Sequence, residues 1–193
     1  MDAAPSGGVV TAPACTYRET VTINKPLTLR GVNRPTLSGE GRGDVIRIKS
    51  PDVTVEGLIV RDSGKDLTAQ NAGIYVEPGS HRAVIRANDI TYTLFGLWIE
   101  KANDVRVEAN LITGLRDVLS AQRGNGIQLY NTRGARITDN NIGFTRDGIY
   151  VDVSHNAVFR GNRMHHLRYG THYMNSYHNL WEGNESYLNR SRL

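Results

Sequence analysis

The chain has a single cysteine, Cys15, so an internal disulfide is excluded. No apolar run could span a membrane, and the first residues lack the basic-then-apolar layout of a signal peptide. Direct membrane insertion is therefore not expected, and these features do not determine the cellular compartment. Formal net charge is +4, from 23 basic and 19 acidic residues that are interspersed along the chain. This balance is too mild to predict nucleic-acid binding.

Helical periodicity is nowhere sustained, but an asparagine returns at a nearly constant spacing. The gaps are 22, 30, 22 and 22 residues between Asn88, Asn110, Asn140, Asn162 and Asn184. Short strands that open on a glycine recur in step, at Gly73, Gly96, Gly126, Gly148 and Gly170. Two repeats with one period predict an all-β protein, a right-handed parallel β-helix that forms one domain over residues 1–193. Each coil takes about 22 residues.

The period also predicts where the coils begin and where they are interrupted. We expect about seven coils, with residues 1–16 as a loose N-terminal lead-in or cap. Polar insertions at 62–71 and 115–125 enter at the same corner, just before a Gly-Ile strand. Insertions in a solenoid become loops on one face, often the binding face. The last coil is followed by no evident capping segment, which leaves end-to-end self-association open.

Stacking of coils turns the repeats into columns of side chains. The asparagines are expected to form a structural ladder, each amide bonding to the next. On the outward face of the glycine-led strands, the exposed side chains form a candidate binding face of Tyr75, Trp98, Glu100, Tyr130, Tyr150 and Asp152. Aromatics interleaved with carboxylates suit a sugar chain or a protein surface. Cross-strand stacking that only stabilises the sheet is an equal alternative.

The end of the chain is rich in possible copper ligands. Five of the six histidines and two of the three methionines fall within residues 155–178. Met164 aligns with isoleucines of earlier coils and is assigned to the core. His172 and Met174 share the outward face of one strand, so with His166 from the preceding corner they are candidate metal ligands, with copper as the metal. Chance enrichment of solvated or stacking histidines is the alternative, because no spacing here is diagnostic of a closed site.

An enzymatic function is the second hypothesis. Asp147 and Asp152 flank one strand, and His172 could serve as a base near Asp152. A uronan epimerase or lyase would then use His172 and Tyr150 as its acid–base residues. A carbohydrate-binding module without catalysis is a third possibility. No carboxylate cluster typical of a calcium-dependent lyase is present, so the predicted function is not catalytic.

Several segments together resemble one family. They include Arg146 to Val151, Phe159 to Arg163, the string Arg168-Tyr169-Gly170-Thr171-His172-Tyr173-Met174, and earlier pieces such as Asn71 to Val76 and Arg123 to Ile127. This pattern resembles NosD, the periplasmic maturation factor of nitrous oxide reductase. The resemblance extends over nearly the whole chain.

The resemblance implies a non-enzymatic role in assembling the copper–sulfur cluster of that reductase. It implies a periplasmic location and partnership with ABC transporter subunits, a copper chaperone and the reductase itself. The resemblance does not define a set of copper ligands. His172 and Met174 are candidates because they fall inside the matching motif. It also implies a longer parent, and the C-terminus of this chain is expected to be truncated relative to the family.

Overall fold

The computed structural model describes residues 4–191, and these form a parallel β-helix. The strands in chain order are β1 (Gly8–Ala12), β2 (Thr16–Arg18), β3 (Val21–Ile23), β4 (Leu27–Gly31), β5 (Thr36–Ser38), β6 (Ile46–Ile48), β7 (Thr54–Glu56), β8 (Ile59–Arg61), β9 (Ala72–Val76), β10 (Val84–Arg86), β11 (Asp89–Thr91), β12 (Phe95–Glu100), β13 (Arg106–Glu108), β14 (Leu111–Thr113), β15 (Ile127–Tyr130), β16 (Arg136–Thr138), β17 (Asn141–Gly143), β18 (Asp147–Asp152), β19 (Val158–Arg160), β20 (Arg163–His165), β21 (Tyr169–Met174), β22 (Leu180–Glu182) and β23 (Glu185–Tyr187). A short 3₁₀ helix spans Ser120–Gln122.

The strands stack into three parallel sheets that run the length of the molecule. Sheet 1 contains β1, β4, β7, β10, β13, β16, β19 and β22; sheet 2 contains β2, β5, β8, β11, β14, β17, β20 and β23; sheet 3 contains β3, β6, β9, β12, β15, β18 and β21. The predicted fold class is confirmed. The described residues form eight coils rather than about seven. The additional strand is β1, which pairs with β4 within the stretch expected to be a lead-in or cap.

The core is built from columns of aliphatic side chains that the period brings into register. Ile74, Leu97, Ile127 and Ile149 stack on successive coils of sheet 3, and all are fully buried. Met164 continues the isoleucine column of sheet 2 and is also buried, as predicted. Burying a side chain of this size contributes roughly 1.5–3 kcal/mol, so each column stabilises its coil.

The glycine repeat marks a line where neighbouring coils approach too closely for a side chain. A Cβ atom added at Gly126 would lie 2.7 Å from the carbonyl oxygen of Gly148 on the next coil. The same close approach occurs at Gly96 and Gly148. Glycine therefore recurs here because the backbone contact between coils leaves no room, rather than because the chain must turn.

The five repeated asparagines form one continuous ladder. Each amide nitrogen donates to the amide oxygen of the next asparagine at 2.9–3.1 Å, from Asn88 through Asn110, Asn140, Asn162 and Asn184. The same oxygens accept the backbone N–H of the preceding asparagine, as Asn140 does from Asn110 at 3.0 Å. Each ladder amide also donates to a backbone carbonyl, that of Val107 for Asn140. Buried turn groups are thus satisfied by side chains in place of water.

Candidate functional site

The outward face of sheet 3 carries the two columns that the sequence predicts. Register pairs Arg47 with Tyr75, Tyr75 with Trp98, and so on to His172. The neighbouring column pairs Glu100, Tyr130, Asp152 and Met174 in order. Side chains of this face therefore contact partners one coil away.

The expectation that Tyr75 and Trp98 are exposed is wrong. Trp98 is 9% exposed and Tyr75 is 6% exposed. Leu115, from the second insertion, is buried with them in one apolar cluster together with Phe95. Phe95 contacts Trp98 edge-on at 5.0 Å between ring centroids. The insertion folds over this part of the sheet and turns a predicted surface into a second small core.

The carboxylates beside these aromatics are partly covered. Glu100 accepts a hydrogen bond from the Tyr75 hydroxyl at 2.7 Å. Burial first, and this bond second, raise the pKa of Tyr75 well above its ordinary value. Tyr130 is half-buried, with the Lys101 ammonium 6.0 Å from its ring centroid. Glu100 and Tyr130, with Tyr150 and Asp152, stay predicted members of a binding face.

The far end of the face centres on a carboxylate that the candidate residues did not include. The side chain of Asp147, at the start of β18, is fully buried. Its two oxygens accept from Arg168, at 2.9 Å from Nε and 2.6 Å from Nη2. This bidentate bond is the main reason that the pKa of Arg168 is raised.

Asp147 also orients His172. The distance between His172 Nδ1 and Asp147 Oδ2 is 3.0 Å. Because an ionised carboxylate can only accept, this contact places a proton on Nδ1, and the neutral form of the ring would then present the lone pair of Nε2. His172 thus contacts Asp147, whereas sequence reasoning placed it near Asp152. A histidine held this way by a carboxylate is the usual arrangement behind a metal-binding imidazole.

Tyr150 connects His172 to Met174. Its ring lies 4.3 Å from the His172 ring, and its hydroxyl donates to Met174 Sδ at 2.8 Å. Burial first, and then the carboxylates of Asp152 and Asp147, raise the pKa of Tyr150. The hydroxyl therefore keeps its proton at neutral pH. Met174 is 41% exposed.

Asp152 adds an unusual group beside this cluster. One of its carboxylate oxygens, Oδ1, is buried without a hydrogen-bond partner among the described residues. An unpartnered buried carboxylate oxygen is costly and is often found where a cation or a water binds. Asp152 pairs in register with Met174 on the next coil.

His166, the third candidate ligand, has different neighbours. Its Nδ1 lies 2.9 Å from Nδ1 of His165, and its ring stacks on Phe144 at 4.8 Å. It belongs to the corner after β20, whereas His172 lies within β21. A joint site of His166 with His172 and Met174 stays a prediction.

A copper site formed by His172 and Met174 would be an open one. Among residues 4–191, no group of three or more His, Cys, Asp and Glu side chains is placed to hold a metal ion. His172 Nε2 and Met174 Sδ are nevertheless two donors that Cu(I) prefers. Asp147 supplies the orienting contact behind the first of them.

Asp147 could have been found from the period. It lies 22 residues after Asn125, and each of them directly precedes a repeat glycine. Asn125 is buried and accepts the backbone N–H of Asp147 at 3.2 Å. A polar residue that recurs at a buried position is the signal that indicates a bonded carboxylate.

Comparison with protein families identifies a domain in the second half of the chain. Residues 108–193 match the family described as periplasmic copper-binding protein (NosD). A Pseudomonas aeruginosa protein named probable ABC transporter binding protein NosD is 39% identical over 132 residues, which cover 68% of this chain and 31% of that protein. A protein of the same name from Stutzerimonas stutzeri is 38% identical over 136 residues, covering 70% and 31%. The chain spans about a third of these curated relatives, and the resemblance to NosD is confirmed.

Solved structures share the architecture alone. Tailspike protein 2 of the Escherichia coli O157:H7 bacteriophage CAB120 superposes with a TM-score of 0.64 at 15% identity, covering 93% of this chain and 31% of that one. A pectin methylesterase in complex with a hexasaccharide gives 0.55 at 14% identity, covering 87% and 74%. At such identities the likeness establishes the β-helix and carries no function.

Proposed function

We propose that this NosD-family chain is part of a non-enzymatic, periplasmic accessory protein that helps assemble the copper–sulfur cluster of nitrous oxide reductase. One observation carries the proposal: the NosD domain match over residues 108–193 contains β18 and β21, which form the Asp147 cluster. The proposed partners are ABC transporter subunits, a copper chaperone and the reductase. The transporter is supported by the name of the curated relatives.

Copper would be the cargo of this protein rather than a resident cofactor. His172 Nε2 and Met174 Sδ would bind Cu(I), with Asp147 holding the imidazole and Tyr150 holding the thioether. Two soft donors leave coordination positions for ligands from a donor or an acceptor protein. Such an incomplete site suits transfer better than storage, because a closed set of ligands would slow release.

The test is a Cu(I) titration of the chain against a competing chelator. Wild type is compared with the His172→Ala, Met174→Ala double variant. Binding that the double variant loses supports the site. A His178→Asn variant is the matched control, since His178 is an exposed histidine of the same region with a positive φ that asparagine tolerates. Equal affinity of wild type and the double variant would exclude copper binding here.

The partner proposal needs its own experiment. We expect the full-length parent to be co-purified with the transporter subunits or the reductase. Absence of any such complex would overturn the accessory role even if copper binds.

The carbohydrate alternative now has less support. Its sugar platform depended on exposed aromatics, and Tyr75 and Trp98 are buried. The pectin methylesterase likeness supports only the fold. Screening uronan polymers for turnover tests the enzymatic version directly, and measurable turnover would revive it.

The described residues contain no helix long and apolar enough to cross a membrane. Periplasmic placement is proposed from the family description.

A further inference from the structure

A groove separates the second insertion from the last described coil, at the corner between sheets 2 and 3 where Arg168 of the Asp147 cluster also lies. Its volume is about 640 Å³. Arg116 and Arg123 line it from the insertion, and His166 and Arg190 line it from the last two coils. Asp117 is the acidic residue of the lining. The groove is therefore mainly cationic.

The three arginines are held in place by groups other than carboxylates. Arg123 donates to the carbonyl oxygens of Val118, at 2.8 Å, and Arg116, at 3.1 Å. Arg190 donates to the Ser120 hydroxyl at 3.3 Å, across the groove. The guanidinium carbon of Arg116 lies 4.1 Å from the ring centroid of Phe144. In residues 4–191 none of the three forms an ion pair with a carboxylate, whereas Arg163 nearby pairs with Glu185 at 3.2 Å.

The arginines also act on one another across the groove. The pKa of Arg123 is lowered, chiefly by burial and then by the charge of Arg190, while Asp117 acts in the opposite direction. An anion in the groove would offset this repulsion.

Apolar side chains stand at both rims of the same groove. Leu119, on the insertion, is 73% exposed, and Leu188, on the last coil, is 68% exposed. They are among the most exposed large apolar side chains of the described residues. The cationic floor and leucine rims together require a ligand with both carboxylates and aliphatic groups.

We propose that this groove binds an acidic peptide segment of a partner protein, with carboxylates on Arg116, Arg123 and Arg190 and aliphatic side chains against Leu119 and Leu188. A polyuronate would satisfy the charges but leave the leucines exposed. Sugar rings prefer a free aromatic face, and Phe144 already contacts Arg116 and His166. The proposed peptide contacts include neither His172 nor Met174, so either proposal can fail alone.

The test is fluorescence anisotropy of a labelled peptide of alternating glutamate and leucine, titrated with the metal-free chain. We expect saturable binding that weakens as salt rises. Arg116→Gln and Arg190→Gln should each weaken it about tenfold, since a hydrogen bond to a charged group contributes about 1.5 kcal/mol or more. Leu119→Ser should weaken binding without changing its salt dependence.

The matched control is Arg163→Gln, which removes the same charge from an exposed arginine outside the groove. Thermal unfolding checks that each variant folds. The proposal is overturned if Arg190→Gln and Arg163→Gln behave alike, or if a peptide with glutamine in place of glutamate binds equally well. Tighter binding of an oligogalacturonate of equal charge would overturn the peptide assignment.

Discussion

The outer face of sheet 3 has two regions that share one register and differ in what covers them. In the middle of the sheet, Trp98 of β12 is buried in one cluster with Leu115 of the second insertion. At the end of the sheet, Tyr150 and His172 occupy equivalent positions in the same column and stay partly open. The same column is thus core in one place and candidate site in another. Register determines which side chains meet, and the corner loops determine whether solvent or a ligand can reach them.

Truncating Trp98 in the covered region should have the largest effect. We expect Trp98→Ala to lower the free energy of unfolding by about 4 kcal/mol, because it opens a cavity beneath the insertion. Tyr150→Ala, at the open end of the column, should cost about 1 kcal/mol, because its ring is only half-buried. Urea unfolding of both variants checks the difference. Equal losses would mean that the insertion does not cover the sheet.

The asparagine ladder allows a second comparison, between a residue in its middle, Asn140, and the residue at its end, Asn184. Asn140→Ala should lower the free energy of unfolding by roughly 1–3 kcal/mol. The reason is that buried hydrogen-bonding groups of Asn110, Val107 and Asn162 lose their partner. Asn184→Ala should cost less, since Asn184 is partly buried. Thermal unfolding measures both. An unchanged midpoint for Asn140→Ala would contradict the ladder.

At the open end, Asp147→Asn tests whether Asp147 orients the His172 ring for copper binding without itself binding the metal. If Asp147 positions His172, the substitution should weaken Cu(I) affinity about tenfold while Met174 remains available. The matched variant is Asp152→Asn, whose carboxylate does not bond His172 among the described contacts. Chelator competition on both variants is the measurement. A larger loss for Asp152→Asn would assign the second carboxylate as the important group.

The smallest expected effect concerns the pH dependence of stability in the covered region, at Tyr75. The pKa of Tyr75 is raised in the folded chain, so the folded state disfavours its ionised form. Its contribution to stability is complete below the unfolded pKa of about 10 and is lost as pH rises above it. Between pH 9 and about pH 11, wild type should therefore lose about 1 kcal/mol more than Tyr75→Phe. Parallel curves for the two proteins would exclude this linkage.

The period of the sequence predicts the features that repeat from coil to coil. It does not predict the features that occur on one coil only. The stacking of Ile74, Leu97 and Ile127 follows from spacing alone, because a fixed period aligns equivalent residues. The burial of Trp98 does not, because Leu115 belongs to an insertion with no counterpart on the previous coil. The role of Asp147 was missed for another reason. Its buried position can be found from the repeat, because Asn125 lies 22 residues before it, but its contact with Arg168 on the next coil joins two unlike residues and has no repeated counterpart.

The ladder has a consequence for how the molecule opens. Each backbone N–H of Asn88, Asn110, Asn140 and Asn162 is bonded to the coil that follows it. Each of these hydrogen bonds joins neighbouring coils, so detachment of one coil exposes the amide proton of the asparagine before it. The rates at which these four protons exchange with deuterium therefore measure, coil by coil, how far local unfolding extends into the solenoid.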